Sequence, residues 1–200
     1  MLSDKFTEIT KQNGLYNIQA ISNISSIMEK GILSYEKAGG IFHDSIALNE
    51  VQARRDVVQV PGGLHQYANL YFDPWNPMLS KRRNQNHKIC ILKIDKTILN
   101  REGVILSDRN ASSQYASFYE VEKGLKKIDF SLVYARDWID KNNFYERYIK
   151  KSIKCAEVLV PYRIPPEYIL GAAVVSEEEK AKLRENAFKG KIVVEPRLFF

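Results

Sequence analysis

The chain has 200 residues, of which 44% are hydrophobic and 11% aromatic, and this composition is typical of a globular protein with its own core. Thirty basic and 24 acidic residues give a formal net charge of +6, which permits a polyanionic partner but predicts no fold. No apolar stretch approaches the roughly 20 residues that cross a bilayer, and the first residues lack the apolar segment of a secretory signal, so the sequence predicts a cytoplasmic protein without a membrane partner.

The predicted elements alternate between short helices and short strands. A helix is expected over residues 22–30, beginning at Ser22 or Asn23 and ending at Gly31. Glycine and proline breakers predict irregular structure over residues 34–63. Strands are expected at 67–72, 87–95, 103–107, 155–160, 167–176 and 191–196, and helices at 115–127, 143–152 and 177–189. Because the order has no βαβ rhythm, the sequence predicts an α+β fold with a largely antiparallel sheet.

The histidines and cysteines give little support for a metal site. His43, His65 and His87 have no HExxH or CxxC companion, so no metal is predicted. Cys90 and Cys155 each lie in an apolar run and are expected to be reduced core residues. His65 stands in "PGGLHQY", directly before an aromatic stretch, which suits either the wall of a pocket for a flat ring or a tight turn that leads into a core strand.

Basic residues are grouped rather than evenly spread. Arg54 and Arg55 are adjacent, Lys81, Arg82 and Arg83 form a second group, and lysines recur between residues 141 and 154. Phenylalanine and tyrosine residues lie among the lysines of the third group, which favours a nucleic-acid groove over a single solvated tail. Glu157 is unusual for a different reason, because it is the one charged residue in the apolar run 155–160. Its side chain either faces solvent or is buried. A buried, unpaired carboxylate lowers the stability of the fold, so burial would indicate a functional role.

Four stretches of the chain resemble the DarT family in order and spacing. They are "NIQAISNISSIMEKGIL", "ARRDVVQVPGGLHQYANLYFDPWNPML", "IDFSLVYARDW" and "KCAEVLVPYRIPPEYILGAAVVSEE", and the resemblance runs from about residue 15 to residue 200. DarT enzymes are bacterial toxins that transfer ADP-ribose from NAD to a base in single-stranded DNA. The resemblance implies one ADP-ribosyltransferase domain over residues 1–200, with two small, largely antiparallel sheets and surrounding helices that form an NAD cleft.

The resemblance also implies roles for two residues. Glu157 aligns with the catalytic glutamate of the family. A fixed carboxylate there would hydrogen-bond the ribose and stabilise the positive charge that develops as the nicotinamide–ribose bond breaks. Arg55 aligns with an arginine at the acceptor base. Since its guanidinium stays protonated, we expect it to stabilise the deprotonated base or to bind the NAD phosphates.

The family's histidine-containing stretch is replaced here by "NIQA", residues 17–20. Contacts to NAD are expected from Asn17, Ile18, Gln19, His65, Tyr67, Tyr71, Phe72 and Met78, and contacts to nucleic acid from Arg54, Lys81, Arg82 and Arg83. The implied partners are single-stranded DNA and a macrodomain antitoxin. Thymidine and guanosine remain open as acceptors. The alternatives are an ADP-ribosyltransferase that acts on RNA and an inactive module that binds single-stranded nucleic acid.

Overall fold

The computed structural model describes residues 1–45, 54–56, 58–138 and 143–200. Within these residues the chain forms ten strands and eight α-helices. The strands are β1 (Gly14–Ala20), β2 (Ile32–Leu33), β3 (Tyr67–Tyr71), β4 (Ile89–Asp95), β5 (Ile105–Ser107), β6 (Phe118–Glu120), β7 (Glu157–Pro161), β8 (Arg163–Ile164), β9 (Ile169–Val174) and β10 (Lys191–Val194). The helices are α1 (Leu2–Thr10), α2 (Ile24–Lys30), α3 (Tyr35–Ala38), α4 (Pro77–Lys81), α5 (Val121–Lys127), α6 (Phe130–Val133), α7 (Phe144–Lys154) and α8 (Glu177–Glu185).

Eight of these strands form one sheet in the order β10-β9-β4-β1-β3-β7-β5-β6, and β2 pairs with β8 in a separate ribbon. All neighbours are antiparallel except β9 and β10, which confirms the α+β, largely antiparallel prediction. The expectation of two small sheets is corrected to one sheet, because β1 pairs along its whole length with β4 and also touches β3.

The join between β1 and β3 explains both the single sheet and the cleft. Only one residue pair, Tyr16 and Tyr71, connects the two strands. Beyond it the strands diverge, and the side chain of Asn17 crosses the gap to donate a hydrogen bond to the carbonyl of Asn69 at 2.9 Å. The sheet is thus two four-stranded halves that separate next to this pair. The separation leaves polar backbone and side chains facing a cavity in the middle of the molecule.

The core lies against both faces of the sheet. Residues 157–160 of β7 are buried in succession, which explains why that strand reads as a continuous apolar run rather than an alternating one. Phe6, Phe72 and Phe188 are among the largest fully buried side chains. Cys90 and Cys155 are free and buried, as predicted.

Several predicted boundaries shift in the structure. The helix over 22–30 is confirmed as α2 with a preceding 3₁₀ turn, and Gly31 ends it at a φ of 86°, a conformation that favours glycine. The helix expected over 115–127 is wrong in its first half, where Phe118–Glu120 pair with β5. Helix α1 and strand β1 are additional elements. Most of the irregular segment predicted over 34–63 lies outside the described residues, and its first part contains α3.

In the part of the chain that the structure describes, no helix is both long enough and apolar enough to cross a membrane.

Candidate active site

The divergence of β1 and β3 opens a cavity of about 480 Å³. Its floor comes from these two strands, and α4 and the end of α7 form one side. The loop after β5 contributes Asn110, Ser112 and Ser113 to the lining. This loop is held against α7, because the backbone N–H of Asn110 donates to the carbonyl of Ser152 at 2.9 Å. The volume falls within the roughly 300–1,000 Å³ of ordinary ligand pockets.

Glu157 lies directly behind the wall of this cavity. As the first residue of β7 it stands opposite Tyr71 on β3 and Ser107 on β5, and it is only 1% exposed. Its carboxylate atom Oε1 accepts a hydrogen bond from the backbone N–H of Ala111 at 2.8 Å. Its Oε2 is buried and receives no hydrogen bond within the described chain. The lone carboxylate of the apolar run is therefore buried, with one oxygen fixed and the other able to accept.

Arg55 forms an ion pair with this carboxylate. Its Nη1 lies 3.6 Å from Oε2 of Glu157, an ion-pair distance longer than a hydrogen bond. Arg55 contributes to the cavity wall and is 9% exposed, whereas Glu157 does not reach the cavity surface. The guanidinium thus stands on the cavity side of the carboxylate. The structure brings together the two residues that the sequence singled out for catalysis.

Burial dominates the electrostatics of the site. It raises the pKa of Glu157 above its ordinary value of 4.5, and the opposing effects of the Arg55 charge and of the Ala111 hydrogen bond do not cancel it. The pKa of Tyr71 is raised well above 10, again mainly by burial, with the neighbouring Glu157 adding to the effect. The Tyr71 hydroxyl is therefore neutral and remains a hydrogen-bond donor at physiological pH.

Six of the eight residues expected to contact NAD line this cavity. They are Asn17, Ile18, Gln19, Tyr67, Tyr71 and Met78. Asn17 is 4% exposed, and its Oδ1 is buried without a hydrogen-bond partner among the described residues. Its Nδ2 donates to the carbonyl of Asn69, and Oδ1 is left able to accept from a ligand.

The other two residues are placed elsewhere, which corrects the sequence expectation for them. Phe72 follows the end of β3, is fully buried, and packs against Phe6 and Phe130 in the main core. His65 lies behind the wall, with its ring 4.5 Å from that of Tyr35, which does line the cavity. The Nε2 of His65 lies 2.7 Å from the carboxylate of Asp56. His65 thus fits the alternative of a turn residue that leads into β3.

The basic residues divide between two cavities. Arg54, Lys81 and Arg82 line the cavity beside Glu157. Lys81 is the last residue of α4 and Arg82 follows it, so these two lie on the α4 side of the cavity. Arg83 instead lines a neighbouring cavity, which Lys81 also borders. Among the described residues, no group of three or more histidine, cysteine, aspartate or glutamate side chains could hold a metal ion.

The "DPWNP" stretch builds one side of the cavity through two polar contacts. The Asn76 side chain caps α4 by accepting from the N–H groups of Met78 and Leu79, and this fixes Met78 at the cavity wall. Asp73 pairs with the buried ammonium of Lys154 at 2.5 Å. Because Lys154 ends α7, this ion pair ties α7 to the segment that follows β3.

Sequence reasoning missed the residues that act through their backbone or from a loop. Ala111 holds Glu157 with its N–H, a contact that any residue type could make, so no side-chain signal existed. Asn69 and Ser112 line the cavity without belonging to a recognisable motif. The only available signal was the dense polar loop "SDRNASS" immediately after a predicted strand, which is a common position for a binding loop.

Comparisons with known proteins agree with this geometry. Residues 16–200 match the family profile described as "ssDNA thymidine ADP-ribosyltransferase, DarT". A DNA ADP-ribosyl transferase–DNA ADP-ribosyl glycohydrolase fusion protein of Thermosipho africanus is 31% identical over 93% of this chain, and the chain spans 49% of that relative's length. A DNA ADP-ribosyl transferase of Thermus aquaticus is 27% identical over 84% of this chain and 78% of its own length.

Solved structures show the same fold. Thermosipho africanus DarTG in complex with ADP-ribose superposes with a TM-score of 0.81 at 27% identity, over 94% of this chain and 51% of that one. Thermus sp. 2.9 DarT in complex with ADP-ribosylated single-stranded DNA gives a TM-score of 0.79 at 23% identity, over 95% and 97% of the two chains. The ADP-ribosyltransferase fold expected from the sequence is thus confirmed.

Proposed function

The chain belongs to the DarT family, and from that premise we propose that it transfers ADP-ribose from NAD to thymidine in single-stranded DNA and releases nicotinamide. The observation that carries the proposal is the buried pair formed by Glu157 and Arg55 at the wall of a cavity whose volume lies in the usual range of ligand pockets. Thymidine is proposed because the family description names it. The relatives from Thermosipho and Thermus are named for the same class of reaction.

The residues of the cavity fit NAD on two counts. The volume of about 480 Å³ lies in the ordinary range of ligand pockets, and the buried Oδ1 of Asn17 lacks a donor that a carboxamide or a ribose hydroxyl can supply. Asn17 and Gln19 provide polar contacts from β1, while Tyr67, Tyr71 and Met78 provide apolar and aromatic walls. We propose these residues, together with Ile18, as the NAD site.

Glu157 is proposed to act on the substrate ribose. The bound co-substrate supplies an electrophilic ribose carbon, because nicotinamide leaves as a neutral molecule. Oε1 of Glu157 is held by the Ala111 N–H, so the carboxylate cannot rotate freely, and Oε2 has capacity to accept from a sugar hydroxyl. A fixed, buried carboxylate stabilises a developing positive charge more strongly than one in water, since little solvent screens it.

Arg55 and its basic neighbours are proposed to serve the acceptor. The Arg55 guanidinium lies between Glu157 and the cavity, where it can stabilise negative charge on the attacking nitrogen of the base. Arg54, Lys81 and Arg82 border the same cavity and suit the phosphates that flank the acceptor base. DNA and NAD both occur in the cytoplasm, and we propose that compartment for the reaction.

The wider setting follows from the relatives. The Thermosipho relative joins a transferase and a glycohydrolase in one chain, and this chain corresponds to about half of it. We propose that residues 1–200 form a single transferase domain. We also propose that a separate macrodomain-type glycohydrolase, acting as antitoxin, removes the modification.

The direct test is incubation of the protein with NAD and matched oligonucleotides, read by mass spectrometry. The set contains single-stranded DNA with thymidine, the same strand with every thymidine replaced, and RNA of equivalent sequence. We expect one added ADP-ribose only on the thymidine-containing DNA, and far less of it with Glu157→Gln in the same time. Modification of the thymidine-free strand would contradict the acceptor, and modification of RNA alone would replace DNA as substrate. No adduct on any strand would contradict the proposed reaction.

A further inference from the structure

A second cavity of about 520 Å³ lies next to the first. The two share Pro77, Lys81 and Lys151 as lining residues, so they meet along the edge formed by α4 and α7. The second cavity contains none of the proposed catalytic or NAD-binding residues. It is therefore an extension of the cleft beyond the proposed catalytic and NAD-binding residues.

Positive charge is concentrated in this extension. Five cationic side chains line it against one carboxylate, that of Asp137; the cations are Lys81, Arg83, Arg136, Arg147 and Lys151. None of these five forms an ion pair with another described residue, whereas lysines elsewhere on the surface, such as Lys5 and Lys182, are paired with glutamates. The pKa of Lys151 is lowered by partial burial and by the charges of Arg147 and Lys81. The cations thus repel one another, and a bound polyanion would relieve that repulsion.

The floor of the extension is aromatic. The rings of Trp75 and Phe200 stack with centroids 3.8 Å apart and planes 21° apart. Trp138 stands edge-on to both, at 6.3 Å from Trp75 and 5.7 Å from Phe200. The Lys154 ammonium, fixed by Asp73, lies 5.8 Å from the Trp138 ring. Trp75 and Phe200 are partly exposed, so this preformed cluster presents ring surface to the cavity.

We propose that the second cavity binds the nucleotides that flank the acceptor base on the same single strand. Phosphates would pair with the cations, and a base would stack on the Trp75–Phe200 cluster. An acidic peptide would satisfy the charges but would leave the aromatic surface uncovered, which is why a nucleic-acid strand is favoured. This inference rests on the proposed function, because it assumes that the strand enters from the first cavity.

The two tryptophans provide a direct probe, since the chain contains only Trp75 and Trp138 and both line this cavity. Tryptophan fluorescence is titrated with a trinucleotide, with a strand of about 12 nucleotides, and with a poly-glutamate peptide. We expect strong quenching by the longer strand only, because only that strand reaches the aromatic cluster and stacks there. Equal quenching by poly-glutamate, or no quenching by the longer strand, would overturn the proposal.

A charge variant makes a second and independent test. Arg136→Ala/Arg147→Ala removes two cations of the extension, and Lys180→Ala/Lys182→Ala removes two from α8 as a matched control. Affinity for the longer strand is measured by fluorescence anisotropy at several salt concentrations. The slope of log affinity against log salt should become shallower by about 1.4 in the first variant, or 0.7 per lost phosphate contact, and should stay unchanged in the control. Equal effects in the two variants would overturn the proposal.

These measurements record binding and not transfer, so they separate two failures. A strand that binds and quenches without being modified would contradict the proposed reaction while supporting the extension. If a strand is modified but does not quench the fluorescence, and the Arg136→Ala/Arg147→Ala variant keeps the wild-type salt slope, the proposed reaction is supported and the extension is contradicted.

Discussion

The Arg55 guanidinium lies 3.6 Å from the Glu157 carboxylate, and both side chains are at least nine-tenths buried. The pair is asymmetric, because Arg55 borders the cavity and Glu157 lies behind it, fixed by the N–H of Ala111. Arg55 is therefore the member of the pair that a ligand in the cavity can contact directly. Each residue can be tested by removing it while the other is kept.

Replacing Glu157 with glutamine should lower the transfer rate at least about 100-fold, because the negative charge that stabilises the transition state is lost. Glutamine keeps the shape of the side chain and can still accept from the Ala111 N–H, so folding and NAD affinity should change little. The measurement is the single-turnover rate of ADP-ribose transfer, with NAD affinity determined by calorimetry. The exposed Glu185→Gln serves as control and should match wild type. Near-wild-type transfer by Glu157→Gln would remove Glu157 from the mechanism.

Replacing Arg55 with alanine should depress transfer much more than NAD affinity, because we assign its guanidinium to the acceptor base. The comparison variant is Arg54→Ala, which should mainly weaken oligonucleotide binding and flatten its salt dependence. Transfer rate, NAD affinity and strand affinity are measured for both variants. An equally large loss of NAD affinity in Arg55→Ala would move that arginine to the phosphates of the co-substrate.

The stability of the protein should depend on pH through Glu157. Its pKa is higher in the folded state than its ordinary value of 4.5, mainly because of burial. Such a group stabilises the fold fully when the pH is below 4.5, and this contribution is lost as the pH rises through the higher folded-state pKa. The melting temperature of wild type minus that of Glu157→Gln should therefore decrease from acidic to neutral pH.

Thermal unfolding of both proteins across that pH range checks this prediction, with Glu185→Gln as the control that should show a constant difference. A difference of one pKa unit between the folded and unfolded states corresponds to about 1.4 kcal/mol. A wild-type advantage that grows with pH would mean that the charge of Arg55 outweighs burial.

The two thiols should be unreactive in the native protein. Burial raises the pKa of both Cys90 and Cys155 to about 12, so almost no thiolate exists at neutral pH. Iodoacetamide should label neither residue in the native state and both after unfolding in guanidinium, as measured by mass spectrometry. Cys155 is the sharper case because it borders the cavity proposed to bind NAD. Rapid labelling of native Cys155 would show that this wall opens in solution.

Much of this architecture could be predicted from the sequence, and the exceptions have physical causes. Apolar runs predicted β4 and β9, and Gly31 predicted the end of α2. Strand β6 was missed because its three residues are held by pairing with β5, which local pattern does not encode. The single sheet depends on one contact between Tyr16 and Tyr71, which no spacing rule reveals.

Some residues of the candidate site could likewise be predicted from the sequence, and others could not. Glu157 was detectable because a carboxylate in an apolar run is anomalous, and the resemblance gave it a role. Phe72 was misplaced because adjacent strand residues point to opposite faces, and the sequence did not establish which face carried the cavity. Ala111 escaped notice because it contributes only its backbone.

The acceptor should be single-stranded and not duplex DNA. Arg54, Lys81 and Arg82 border the same cavity as the buried Glu157, so a base must leave its stack to reach this site. Unpairing a base in a duplex costs a few kcal/mol, which a single strand largely avoids. Annealing a complementary strand to the target oligonucleotide should therefore abolish modification at matched salt. A duplex with one unpaired thymidine is the control and should recover it, and modification of the full duplex at a comparable rate would refute the single-strand requirement.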